Sequence, residues 1–467
     1  MRTESNLPVT ADSTTEQPPE LDKARHRIRG PQWLDRDLTL LFSGRGLRSL
    51  AQGYLAIIVP LYLAKLGFNA IQLGILFTAA AITSALLAAA VGFLSDRFGR
   101  KTLLVLISLM MAGGGLFFAL SGNFIVLVVA GALGTIGRGG GAGSGGAFGP
   151  YYPAEQALIA EHASDVQRTT VFGALSFIGV IGGALGSLCA YIPGLLQQDA
   201  SFSLLTGYRA LFLLTVLLGI VMAVAVLPVR EHLHSRTKAS KLAAEPLVAV
   251  LQGNSDNAGG RKVLGLSRSS WNLVWRFMVT NTTNGLAIGM LGSFMVYWFY
   301  RRYGVDAGQL GGLFFIINLA AAIPYLLAGR LARRLGTVNT VVITRAISVI
   351  LLAITAVMPT FLLAAALYLV RMVANTLSNP VRQSYLMGII SPQERASAAG
   401  LASLPSQVAA SISPTFAGYL IQQVALDLPL EFAAALQGLN TVLYYAFFRN
   451  IRPPEEKGTA SPGTQGN

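Results

Sequence analysis

The chain has 467 residues, 53% of them hydrophobic and only 12% charged, with a mean hydropathy of +0.56 and a formal net charge of +14. Soluble domains carry about a quarter charged residues, so an ordinary soluble protein is excluded, and the basic balance belongs to loops at a membrane surface rather than to nucleic-acid binding. A single cysteine, Cys189, excludes an internal disulfide framework and a cysteine-built metal site.

In chain order, residues 1–36 are polar, without an apolar core that would make a secretory signal, and read as a disordered tail. A membrane-spanning helix needs about 20 mostly apolar residues. Such segments follow at 38–64, 70–95, 102–121, 124–150, 170–192 and 207–228, and again at 272–299, 305–332, 338–358, 361–389, 396–422 and 428–448. The expected architecture is therefore all-α and polytopic, with about twelve transmembrane helices in two groups of six, at 37–228 and 271–449. A polar loop at 229–270 joins them, and a short polar tail follows from 450 to 467. Lys and Arg crowd the loops that share a side with both tails, including Arg97, Arg100, Lys101 and the central loop, which puts both termini in the cytoplasm of a multi-pass cell (inner) membrane protein.

Helix 1 carries Arg45, Arg48 and Gln52 at spacings of i, i+3 and i+7, hence on one face. At about 1.5 Å per residue Arg48 is roughly 15 Å deep, too far to snorkel. Between predicted spans 3 and 5 lies "GRGGGAGSGGAFGPYYP", from Gly137 to Pro153, whose one charge is Arg138. It lacks the Lys-Ser/Thr of a phosphate loop and the preceding strand of a dinucleotide site. Glycine at this density lets a helix pack closely, bend or unwind where it faces protein or a water-filled cavity.

The two groups of six repeat one another. "GFNAIQLG" from Gly67 returns in the second group as "GVDAGQLG" from Gly304, and at the same offset "GFLSDRFG" from Gly92 returns as "GRLARRLG" from Gly329. Pro153, Gln156, Arg168 and Gly173 return with their spacing intact as Pro380, Gln383, Arg395 and Gly400.

The segment "GFLSDRFGRK" satisfies every position of the pattern found between helices 2 and 3 of the major facilitator superfamily (MFS), through Gly92, Asp96, Arg97, Gly99, Arg100 and Lys101. With the six-plus-six repeat, the chain resembles that family over about residues 36–450. The resemblance implies two six-helix halves around a central cavity lined by helices 1, 4, 7 and 10, and a gating role for those six residues. On the lining helices it implies as substrate-contacting candidates Arg45, Arg48, Gln52, Arg138, Asn281, Asn284, Arg371 and Asn375. Arg276 and Arg345 lie near cytoplasmic ends and are expected to snorkel. The family's drug antiporters show an Arg in helix 4 followed three and four residues later by Gln-Gly, where this chain keeps Arg138 but has Gly141 and Ala142. In helix 5 it keeps Gly173, Gly182 and Gly186, with Gly183 in place of the antiporters' Pro and Ser187 in place of their last Gly.

No Asp or Glu falls inside the predicted spans away from their ends, and Glu155 follows the expected end of helix 4. Arg48, Arg138 and Arg371 then leave an uncompensated positive field that an anionic solute would complete. The leading expectation is a transporter moving a small organic anion or polar metabolite by alternating access. Proton-coupled drug or xenobiotic efflux is the alternative within transport, and a non-transporting membrane sensor the alternative outside it. No nucleophile and base pair, metal cluster or cofactor motif points to an enzyme. The expected partners are the lipid bilayer and a small-molecule substrate, with no nucleic acid, around a monomer.

Overall fold

The computed structural model describes residues 35–134, 136, 149–162, 168–200, 203–229, 266–390 and 394–451. The regular elements among them are helices: α1 (Arg36–Lys65), α2 (Ala70–Phe98), α3 (Arg100–Leu120), α4 (Phe124–Leu133), α5 (Tyr151–His162), α6 (Arg168–Leu188), α7 (Ile192–Ala200) and α8 (Leu204–Val226) in the first half of the chain. The second half holds α9 (Arg268–Tyr303), α10 (Ala307–Ala320), α11 (Ile323–Leu335), α12 (Thr337–Ala356), α13 (Phe361–Ile389), α14 (Arg395–Gln423) and α15 (Leu428–Phe448). By length and composition, seven stretches of the described residues can cross a membrane: 36–65, 70–91, 100–120, 170–198, 204–226, 337–356 and 361–389. The expected span 305–332 is two helices, α10 and α11, divided just before Pro324, which lacks the N–H needed to continue a helix. The expected span 124–150 is represented by α4 and then α5, with residues 137–148 outside the described residues.

The sequence repeat has a structural counterpart. Asn69 and Gln72 close a capping box at the start of α2, and their counterparts Asp306 and Gln309 close another at the start of α10. Gly67 and Gly304, which precede those caps, both have positive φ, as do Gly99 and Gly336 at the next turn of each half. Packing repeats as well: α1 lies on α6 as α9 lies on α14. A Cβ added to Gly53 would come 2.3 Å from the Gly183 carbonyl, and one added to Gly289 would come 2.3 Å from the Ala410 carbonyl. Only glycine allows backbones this close.

The two halves of the chain meet through α2 against α14 and α6 against α10. Thr415 Oγ1 and Thr78 Oγ1 are 2.8 Å apart, the Ala70 N–H donates to Gln422 Oε1 at 3.3 Å, and Phe77 stacks edge-on against Phe294. These contacts lie away from the membrane side that carries residues 36 and 451. One apolar cluster joins both halves there through residues such as Leu61, Phe77, Phe294 and Trp298. Toward the terminal side a second cluster, including Val274, Phe277, Val341 and Tyr444, belongs to the C-terminal half alone.

Candidate functional site

Helices α1 and α5 build the first part of the site. Arg45 Nη1 donates to Glu155 Oε2 at 2.9 Å, and the two residues are 2% and 0% exposed. The Arg48 guanidinium lies 4.8 Å above the Tyr151 ring, and Arg45 lies 5.6 Å from the Tyr152 ring centre, so each cation also meets the electron-rich face of an aromatic side chain. Gly149 closes the glycine-rich segment with φ of +89°, and a Cβ there would come 3.1 Å from Arg48 Nη2. Its positive φ favours glycine, and an added Cβ would require the tip of the Arg48 side chain to shift. Gln52 Oε1 and Glu155 Oε1 are buried and meet no hydrogen-bond donor among the described residues.

The pairing of Arg45 with Glu155 corrects the expectation of a cavity without a deep carboxylate. Glu155 lies inside α5, which begins at Tyr151. Hydropathy alone ends the span at that segment.

The second part lies on α9, α12, α13 and α15. Arg345 Nη1 donates to Asn284 Oδ1 and to Asn440 Oδ1, each at 2.8 Å, and its Nε to Ser378 Oγ at 3.2 Å. At 3% exposure Arg345 does not snorkel as expected, since the amides of two neighbouring helices hold its guanidinium inside. Arg276 sits nearer the helix end, donating to the Phe447 carbonyl at 3.2 Å. Arg371, also 3% exposed, reaches Gln437 Oε1 and Met372 Sδ at 3.4 Å and lies 5.4 Å from the Tyr368 ring centre. Its Nε meets no acceptor among the described residues. Asn281 donates to the Ala402 carbonyl at 2.7 Å and accepts from Arg382 Nη2. Asn375, half-buried, accepts from Ser378 Oγ through its main-chain carbonyl at 2.8 Å.

The structure thus brings Arg45, Arg48, Glu155 and Tyr151 together on one side, and Asn284, Arg345, Asn440 and Ser378 together on the other. Arg138, Gly141 and Ala142 lie outside the described residues, as do the side-chain surroundings of Gly92, Asp96 and Arg97. Gly99, at φ of +89°, makes the turn that starts α3, whose first residues Arg100 and Lys101 are half-buried. The sequence reading places Glu155 after the expected end of helix 4 and passes over Tyr151, Gln437 and Asn440. For Glu155 a signal is present, because Pro153 and Gln156 belong to the repeat and bracket it on one helix. Among the described residues, no group of three or more His, Cys, Asp or Glu side chains is placed to hold a metal.

A helical bundle with buried arginines and halves related by a repeat is that of a multi-pass membrane transporter. The sequence profile of the Major Facilitator Superfamily matches residues 41–379 and 277–466, and the chain belongs to that family. It is 25% identical over 399 residues to the uncharacterised membrane protein YJR124C of Saccharomyces cerevisiae, covering 82% of this chain and 88% of that one. It is 26% identical over 331 residues to the multidrug resistance protein MdtG of Enterobacter lignolyticus, covering 68% and 69%. Among solved structures, the nucleoside transporter NupG superposes with a TM-score of 0.65 at 13% identity, covering 89% of this chain and 99% of that one. The protein is a secondary transporter that moves a small molecule across the membrane in which it is embedded.

Proposed function

We propose that this transporter carries a small organic anion or polar metabolite by alternating access of residues 37–228 against residues 271–449, with both termini and the 229–270 loop in the cytoplasm. The observation that supports the substrate class is the charge pattern of the buried groups. The Glu155 carboxylate is engaged by Arg45, while Arg345, Arg371 and Arg382 of the C-terminal half are held by amides, a hydroxyl, a thioether and aromatic rings. A buried cation is stabilised most by an anion, and a carboxylate or phosphate on the substrate supplies one. Arg371 is the residue best suited to receive it, because its contacts are long and its Nε is open among the described residues. In this reading Gly92, Asp96, Arg97, Gly99, Arg100 and Lys101 latch the cytoplasmic side. The test is the thermal stability of the purified protein against panels of anionic and cationic solutes, since a ligand of the folded state raises its melting temperature. Anions should stabilise the wild type and lose that effect in Arg371→Gln.

A second reading, proton-coupled efflux of drugs, draws on the likeness to MdtG and on Glu155 itself. Its Oε2 holds Arg45 while its buried Oε1 meets no donor among the described residues, which leaves that oxygen a place for a proton. Under this reading cationic solutes stabilise the protein and Glu155→Gln abolishes the pH dependence of transport.

A further inference from the structure

On the terminal side of the C-terminal half, a cavity of about 220 Å³ opens between α9, α13 and α14, lined among others by Asn281, Asn379, Arg382, Gln383 and Ser403. Drug-sized ligands occupy pockets of roughly 300–1,000 Å³, so this space suits a compact ligand or the head group of a longer one. Its polar lining is rich in N–H donors, the guanidinium of Arg382 and the amides of Asn379 and Gln383, and no carboxylate lines it among the described residues. Arg382 Nη2 donates to Asn281 Oδ1, its Nε has no acceptor among the described residues, and the Tyr444 ring centre lies 5.7 Å from the guanidinium carbon. The Asn281 amide nitrogen is committed to the Ala402 carbonyl, which turns the amide oxygen toward Arg382.

The internal repeat explains why this guanidinium faces an amide rather than an acid. Pro153 and Gln156 recur as Pro380 and Gln383, which places Arg382 on the position of Glu155. Gly53 and Gly289 make the same helix contact, and counting back equally from each places Asn281 on the position of Arg45. The contact between Arg45 and Glu155 is therefore repeated as a contact between Asn281 and Arg382, with the charges altered. At this contact the first half pairs its cation with an acid. The second half puts a cation where the first has its acid, and opposes it with a neutral amide.

We infer that Arg382, aided by Asn379 and Gln383, binds a small oxyanion, a carboxylate or phosphate group, at a subsite separate from Arg371. As to its occupant, the inference rests on the proposed anionic substrate, which would pause at Arg382 between the aqueous phase and the deeper site.

The test uses the full-length protein with Cys189→Ala and Ser403→Cys, and follows maleimide labelling of the new thiol with succinate, inorganic phosphate or chloride at matched ionic strength. Succinate or phosphate should slow labelling, and chloride should not. Arg382→Gln should weaken that protection about tenfold or more, the loss of a charge-assisted hydrogen bond. Arg382→Lys should keep part of it, and Arg371→Gln should leave it intact. Where Arg382→Gln yields no folded protein, Gln383→Leu takes its place and should weaken protection. Protection that survives Arg382→Gln overturns the subsite, as does absence of protection in a protein that succinate or phosphate still stabilises against heat. If neither anion protects the thiol nor raises the melting temperature, the anionic-substrate reading itself falls.

Discussion

Replacing Glu155 by Gln keeps the side-chain volume but leaves Arg45, 2% exposed, without its carboxylate. At the observed 2.9 Å, the attraction between the two charges is about 6 kcal/mol for an effective dielectric constant of about 20. Much of that only offsets the desolvation of two ions, so removing both charges is far less harmful than removing one. Loss of a single partner of a buried pair typically costs about 3–5 kcal/mol. Glu155→Gln and Arg45→Gln should each lower the melting temperature of the purified protein markedly. The double variant, with two neutral amides of similar size, should recover most of the loss. The double-mutant cycle isolates the coupling between the two positions. Wild-type melting in Glu155→Gln, or a double variant no more stable than the worse single one, would refute the assignment of this pair.

Other predictions address packing, capping, topology and gating. A Cβ on Gly186 would lie 2.0 Å from the Leu50 carbonyl, so Gly186→Leu should push α1 off α6 and sharply reduce the yield of folded protein, read by size-exclusion chromatography. Among the described residues nothing lies within 4 Å of a Cβ added to Gly173, and Gly173→Ala should behave as wild type. Asn69→Ala and Asp306→Ala each remove one capping box and should each cost about 1 kcal/mol in unfolding measurements. In a Cys189→Ala background, Gln198→Cys should react with an impermeant thiol reagent in whole cells while Ser255→Cys should not; the reverse would invert the proposed orientation. Asp96→Asn should lower transport with little loss of folded protein, because a charge removed at a gate shifts the balance of conformers more than the packing.

The helices are legible because a bilayer imposes long apolar segments and because turn chemistry repeats. The repeated segments from Gly67 and Gly304 are read from the sequence, and within them Asn69/Gln72 and Asp306/Gln309 form matching caps. Arg45 and Arg48 are legible as buried because charges well inside an apolar helix have nowhere to snorkel. Their partner is not. Hydropathy ends span 4 in the glycine-rich segment, whereas α5 begins at Tyr151 and carries Glu155 to within 2.9 Å of Arg45. Arg345 is misread for a related reason: its acceptors, Asn284 and Asn440, lie 61 and 95 residues away on other helices, and no local pattern announces them. Arg382 lies near the end of the predicted span 361–389, where no local pattern marks it, although the repeat places it on the position of Glu155.

The most direct test of the account is solute flux in proteoliposomes containing the purified transporter, comparing organic anions with organic cations in wild type, Arg371→Gln and Arg371→Lys. The account predicts saturable flux of an anion in the wild type, lost in Arg371→Gln and only partly restored in Arg371→Lys, because a point charge does not reproduce the two-pronged geometry of a guanidinium. Flux of organic cations with none of anions, unchanged in Arg371→Gln, would contradict it.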